Sequence, residues 1–308
     1  MNYAVISTIF TLGVIFVNGL TDAPNAITGC VCSGALKMKN AVILATLCNF
    51  FGTVISVRLF PAVAKNIFEA AGTDSKGMCA ALLSVIILAM SARLFGIPTS
   101  ESHAIIAAIA GAAAAHGGMP DTRLIAITAI GLTVSVIGGF ISGYVIYKNI
   151  LKIKISKRVS RRLQIFSAGL MAFMHGAQDG QKFISIFLLC MGSECFKVPL
   201  HTTLICSLTM AAGTASGGRR IIDKVGREMV STDDRLAISS DIAGGISLFL
   251  STVMGLPVST THAKTASVMG CGYAVSDINK KTMRQMIAAW LITFPVCFGL
   301  GFIFTKLF

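Results

Sequence analysis

The stretch His175-Gly176-Ala177-Gln178-Asp179-Gly180-Gln181-Lys182 sets a carboxylate, an ammonium, an imidazole and two amides inside apolar sequence, residues 165–174 before it and 183–191 after it. Its surroundings decide what it is. The chain has 308 residues, 54% hydrophobic and 13% charged, where a soluble protein carries about 25% charged residues. Ten apolar segments follow one another, at about 4–36, 41–60, 78–95, 98–117, 122–148, 162–191, 199–216, 236–255, 257–275 and 284–307. Many reach the ~20 residues that span a bilayer as a helix, so the expected class is an all-α, polytopic membrane protein.

Two of these segments are too long for one straight span. The sixth contains the quoted stretch. The first is interrupted at Asn18-Gly19-Leu20-Thr21-Asp22-Ala23-Pro24-Asn25, where proline and glycine both weaken a helix. A break is therefore expected in each. The two interruptions align, Gly19 to Asp22 with Gly176 to Asp179. A second pair of motifs follows in the same order: Pro98-Thr99-Ser100-Glu101-Ser102-His103-Ala104 and Pro257-Val258-Ser259-Thr260-Thr261-His262-Ala263. Asp22 and Asp179 are 157 residues apart and His103 and His262 are 159 apart. Nearly one spacing for two motifs in the same order indicates an internal repeat. Five segments precede the sixth, so the second half enters from the opposite face. A first repeat over 1–148, a basic cytoplasmic linker over 149–161 and a second, inverted repeat over 162–308 follow from this parity. Inverted repeats with broken helices at matching positions characterise secondary transporters with a site near the midplane.

The net charge of +13 does not point to nucleic acid. Of the 26 Lys and Arg, eighteen fall in connections on the side that holds the linker and six on the other; Lys182 and Lys264 lie within apolar segments. By the positive-inside rule the richer side is cytoplasmic, which places both termini outside the cell membrane. The first residues lack a basic n-region and a small-residue cleavage site, so no cleaved leader is expected. Nine cysteines show no metal-ligand spacing and read as small apolar side chains.

Charge at membrane depth costs ~2.5–3.5 kcal/mol per group even on insertion scales, so Asp22, Glu101, Asp179 and Lys182 must be paired, hydrated or bound to something. A broken helix frees carbonyls for cations and N–H groups for anions. Thr21, Asp22, Asn25, Gln178, Asp179 and Gln181 are oxygen ligands suited to a hard cation. Asp22, Asn25 and Asp179 form the set that could ligate Na+, and Lys182 could pair with an anion. Proline followed by hydroxyl residues reads as a helix N-terminus. There Ser100, Glu101, Ser102, Ser259, Thr260 and Thr261 could cradle a tetrahedral oxyanion at the tips of two hairpins. His103, His175 and His262 are either packed or proton-sensitive, and Lys264 either snorkels or pairs. No nucleophile motif accompanies His175 and Asp179, so an enzyme is not expected.

These motifs resemble the inorganic phosphate transporter (PiT) family. The resemblance rests on Gly19, Asp22, Asn25 and Ala26, on His175, Gly176, Asp179, Gly180, Gln181 and Lys182, on both proline–hydroxyl–His motifs, and on Gly217-Gly218-Arg219-Arg220-Ile221-Ile222-Asp223 with Val225-Gly226. Thr21 and Gln178 stand where the family usually has Asn, Glu101 where it has Ser or Thr, and the linker is short. The resemblance implies a membrane homodimer with one substrate site per protomer, importing phosphate with Na+ or H+ and needing no cofactor; the family also includes sulfate permeases. Phosphate suits the carboxylates better than sulfate, because near neutral pH it keeps protons to donate whereas sulfate only accepts. Symport of a coupling cation follows from several buried carboxylates facing an anion. A passive channel is the less favoured alternative, since paired breaks suit alternating access.

Overall fold

The computed structural model describes residues 2–70, 74–95, 99–118, 121–217, 219–223, 225, 229–230 and 233–308. Gly96, Ile97 and Pro98 of the first hairpin motif, and Gly218, Lys224, Gly226 and Arg227, lie outside them. The described residues form thirteen α-helices and no strand. In order these are α1 (Tyr3–Thr21), α2 (Pro24–Cys32), α3 (Met38–Leu59), α4 (Ala62–Ala70), α5 (Ser75–Phe95), α6 (Glu101–Ala115), α7 (Thr122–Ile150), α8 (Lys157–Cys190), α9 (Leu200–Ala215), α10 (Arg219–Asp223), α11 (Asp234–Val253), α12 (Thr260–Ala274) and α13 (Lys280–Leu307). Six are long and apolar enough to cross a membrane: α1 run on into α2, then α3, α5, α7, α11 and α13. Their outer faces are apolar. On α7, Ile130, Val134, Ile137, Ile141 and Val145 are all exposed at helical spacing, the stripe a lipid-facing helix presents. The interior holds the polar side chains.

The repeat is written into the packing. Helix α1 crosses α9 at Gly19, where a Cβ would run into the Met210 backbone, and at Gly213, where it would run into Phe16. Helix α8 crosses α3 at Gly176 against Asn49 and at Gly52 against Phe173 in the same way. A second set matches: Gly111 of α6 abuts Phe298 and Gly301 of α13 abuts Ala108, while Gly270 of α12 abuts Phe140 and Gly143 of α7 abuts Ser267. Each half thus supplies one partner of every crossing, the arrangement of two inverted repeats that exchange helices. Small residues at membrane crossings let backbones approach closely. Replacing Gly176 with leucine is expected to lose the folded protein, since overpacking costs at least about 1–3 kcal/mol even without a backbone collision. Gly299→Ala, where no atom lies within 4 Å of a new Cβ, is the control. The yield of monodisperse protein in detergent reads the difference.

One expectation is corrected. The first break is present: α1 ends at Thr21 and α2 starts at Pro24. Pro24 has no N–H for the Leu20 carbonyl, and the Asn25 N–H turns to the Asp22 carbonyl at 3.0 Å instead of Thr21's. The second break does not occur. Helix α8 runs without interruption through His175 to Lys182, 34 residues or about 51 Å against a hydrocarbon core of ~30 Å. The physical difference is proline. Position 181, which aligns with Pro24, is Gln181 with its N–H intact. Gly176 and Gly180 serve the close crossing with Asn49 and Thr53 of α3. Residues 157–161 of the expected linker are the first turns of α8.

The hairpin tips form as expected, except in how their helices start. Ser100 and Ser259 are the N-caps of α6 and α12, accepting from the His103 N–H at 3.3 Å and the His262 N–H at 3.2 Å. Pro257 sits two residues ahead of its cap rather than in the first turn. Both capped helices have only 15 residues, about 22 Å, so their N-termini end inside the protein.

Candidate functional site

Four elements meet at one buried cluster: the α1–α2 break, the middle of α8, and the N-termini of α6 and α12. Asn18 stands at its centre. Its single Nδ2 lies 3.3 Å from Asp22 Oδ2, 3.4 Å from Glu101 Oε2 and 3.1 Å from Asp179 Oδ2. Three carboxylates therefore share one amide nitrogen, and all three residues are buried. Glu101 Oε1 is also 2.6 Å from Thr21 Oγ1. Asp179 is the most heavily bonded: it takes Lys182 Nζ on Oδ1 at 2.5 Å, and the Thr260 hydroxyl at 3.0 Å on Oδ2. His175 Nε2 is 3.4 Å from that same oxygen, and its Nδ1 is 2.8 Å from Asn49 Oδ1. Asp22, His175 and Asp179 each offer a ligand atom, all within 4.8 Å of one another.

Lys182 ties the two tips together. Its ammonium donates to Asp179, to Ser102 Oγ of α6 at 2.6 Å and to the Val258 carbonyl ahead of α12. Those are all three of its protons, so it acts as a fixed charge. Across the site, Asn25 Nδ2 donates to Thr261 Oγ1 at 3.3 Å. Beyond the capping contacts, the first-turn N–H groups of Glu101, Ser102, Thr260 and Thr261 have no intrahelical acceptor, which makes both tips anion-seeking. Asp22 Oδ1, Asn25 Oδ1 and Asn18 Oδ1 are buried without a hydrogen-bond partner. The cluster combines donors for an oxyanion with bare oxygens for a cation, in a place that must gain positive charge to balance three carboxylates.

The structure brings together Thr21, Asp22, Asn25, Glu101, Ser102, Asp179, Lys182, Thr260 and Thr261. Ser100 and Ser259 belong to the tips as caps. Gln178 and Gln181 spend their amides elsewhere. Gln178 donates to the Leu256 carbonyl at 2.7 Å and accepts from the Thr252 hydroxyl at 3.0 Å. Gln181 accepts from the Ala64 N–H at 3.2 Å and donates to the Ala177 carbonyl at 3.1 Å. Both hold backbone around the site rather than presenting oxygens to it. His103 and His262 stack on each other, ring centroids 4.8 Å apart, and His262 also lies 4.2 Å from the Trp290 ring.

Two contributors were not singled out from sequence. Asn18 is the repeat counterpart of His175, each reaching the aspartate one turn on. Asp241, a carboxylate inside the segment 236–255, is the partner of Lys264. The ammonium donates to it and to Ser240 Oγ at 2.8 Å, while Ser167 Oγ donates to the other carboxylate oxygen at 3.2 Å. This second ion pair is fully buried and pins α12 to α11 and α8.

A profile of the Phosphate transporter family matches residues 18–160 and again 152–301. Among individual proteins, the chain is 33% identical to a probable low-affinity inorganic phosphate transporter of Bacillus subtilis, over 93% of this chain and 91% of that one. It is 30% identical to a protein of the same description from Rhizobium meliloti, over 91% and 89%. Among solved structures, one titled "The sodium-dependent phosphate transporter" superposes with a TM-score of 0.85 over 100% of this chain and 99% of that one, at 18% identity.

Proposed function

Because the chain belongs to the phosphate transporter family and carries six helices long and apolar enough to cross a membrane, we propose that it is a secondary-active symporter that brings inorganic phosphate into the cell with Na+. The observation that carries this reading is the convergence of two Ser-capped helix N-termini on one fixed ammonium, beside three carboxylates. The first-turn N–H groups and hydroxyls of Ser102, Thr260 and Thr261 hold the phosphate oxygens. Asp179, Asp22 and Glu101 accept the protons that phosphate retains, which sulfate lacks. Asp22 and Asn25, with the carbonyls released at Pro24, hold the cation. The sodium-dependent phosphate transporter of the same fold supports Na+ over H+ as the coupling ion. Two inverted halves joined through residues 151–156, between α7 and α8, rock about this site, with the basic connections on the cytoplasmic side, both termini outside, and two protomers in the working unit.

The test is uptake of radiolabelled phosphate by the purified protein in proteoliposomes, with Na+ and H+ gradients imposed separately. An inward Na+ gradient is expected to drive accumulation above the equilibrium level, and excess sulfate is expected not to compete. Accumulation driven by the pH gradient alone would reassign the coupling ion. Equilibration without accumulation would make it a channel, and sulfate uptake indifferent to excess phosphate would make it a sulfate permease.

A further inference from the structure

The two halves of the site are equivalent in position but not in chemistry. Helices α6 and α12 correspond end to end, so Ser102 pairs with Thr261 and Thr99 with Val258. Asp22 pairs with Asp179, and three residues on, Asn25 pairs with Lys182. In the second half-site Lys182 Nζ binds a carboxylate oxygen of Asp179, the Ser102 hydroxyl and the Val258 carbonyl. One carboxylate, one hydroxyl and one backbone carbonyl are the ligands that a hard monovalent cation takes. The first half-site offers the Asp22 carboxylate and the Thr261 hydroxyl, with Asn25 in place of the lysine and its Nδ2 donating to Thr261 Oγ1 at 3.3 Å. Among the described residues, no ammonium donates to Asp22 or Asn25. Asp22 Oδ1 and Asn25 Oδ1 are both buried, 3% and 2% exposed, and neither has a hydrogen-bond partner.

We propose that Lys182 is a tethered cation occupying one of two repeat-related cation sites, and that the other, built from Asp22 Oδ1, Asn25 Oδ1 and Thr261 Oγ1, is where the transported Na+ binds. This rests on the Na+ symport reading and specifies it. The charges agree with it. Asp22, Glu101 and Asp179 face one permanent ammonium, and a buried carboxylate excess is stable only with further positive charge. Because the tethered ammonium never leaves, the chain moves one Na+ fewer per cycle than a protein with Asn at both positions.

Equilibrium binding of radioactive Na+ to the purified, detergent-solubilised protein tests it without relying on transport. Lys182→Asn, which copies Asn25 into the second half-site, is expected to bind one more Na+ per protomer than wild type. Asn25→Lys is expected to bind one fewer. It adds a cation to a carboxylate-rich site, so it remains informative if Lys182→Asn, which strips Asp179 of its partner, fails to fold. The Na+ dependence of phosphate uptake should steepen in the first variant and vanish in the second. Unchanged Na+ occupancy in Asn25→Lys, or in a folded Lys182→Asn, would overturn the inference while leaving Na+-driven uptake by wild type intact. Wild-type uptake indifferent to Na+ would overturn both readings.

Discussion

Asp179→Asn will abolish phosphate accumulation. The substitution is nearly isosteric, so what it removes is charge. Of the three carboxylates in the cluster, Asp179 is the one bonded to a permanent cation, and its four neighbours, Lys182, Asn18, Thr260 and His175, come from three helices. Without it the Lys182 ammonium is buried and unpaired, a situation that costs about 3–5 kcal/mol and lowers the population of the assembled site by about two to four orders of magnitude. The loss should appear as uptake at the level of empty proteoliposomes. Asp22→Asn should also lose accumulation, but with less harm to folding, because no ammonium depends on Asp22. Elution from a sizing column in detergent separates the two effects. Transport at the wild-type rate by Asp179→Asn would remove that residue from the site.

The second large effect lies away from the cluster. Asp241→Leu will destabilise the protein by about 3–5 kcal/mol, since it leaves Lys264 charged and unpaired in the interior. That is a large part of the ~5–15 kcal/mol that holds a typical protein together. The other repeat supplies the remedy. Its counterparts of Asp241 and Lys264 are Leu82 and Ile105, both fully packed within one apolar core. Adding Lys264→Ile to Asp241→Leu should therefore restore the thermal midpoint to the wild-type value or above it, because replacing a whole buried ion pair by apolar residues is often neutral or stabilising by about 1–4 kcal/mol. A single variant as stable as wild type would show that the pair is hydrated in solution.

The parts of the site legible in the sequence were those repeated in it. Asp22 with Asp179, and the two hydroxyl-bearing tips, announced themselves because polar residues at one depth of an apolar chain recur only for a reason. The break in the first half was legible from Pro24. A matching break was expected at Gly176 and Gly180, and there the structure differs, because glycine weakens a helix by only ~1 kcal/mol and tertiary contact with α3 outweighs it. Gln178 and Gln181 looked like ion ligands from their neighbours in sequence. Their partners, Leu256, Thr252 and Ala64, lie in other elements, so nothing local could reveal that their amides were already committed. Asn18 was within reach of sequence reasoning: its alignment with His175 holds as well as that of the aspartates. Asp241 was harder, since its repeat counterpart is a leucine and no pairing rule points to it.

The glycine-lined crossings also determine when this protein can finish folding. Gly19 meets Met210 and Gly52 meets Phe173, so the first helices wait for partners made much later. For α1 the wait is ~190 residues, about 10–40 s at ribosomal rates of ~5–20 residues per second. For the ~80 residues between Glu101 and Lys182, about 4–16 s at the same rates, Asp22 and Glu101 are both in the chain without that ammonium. The early half must then be held in a sheltered or hydrated setting at the insertion machinery, and the ion site closes only when the last helices arrive.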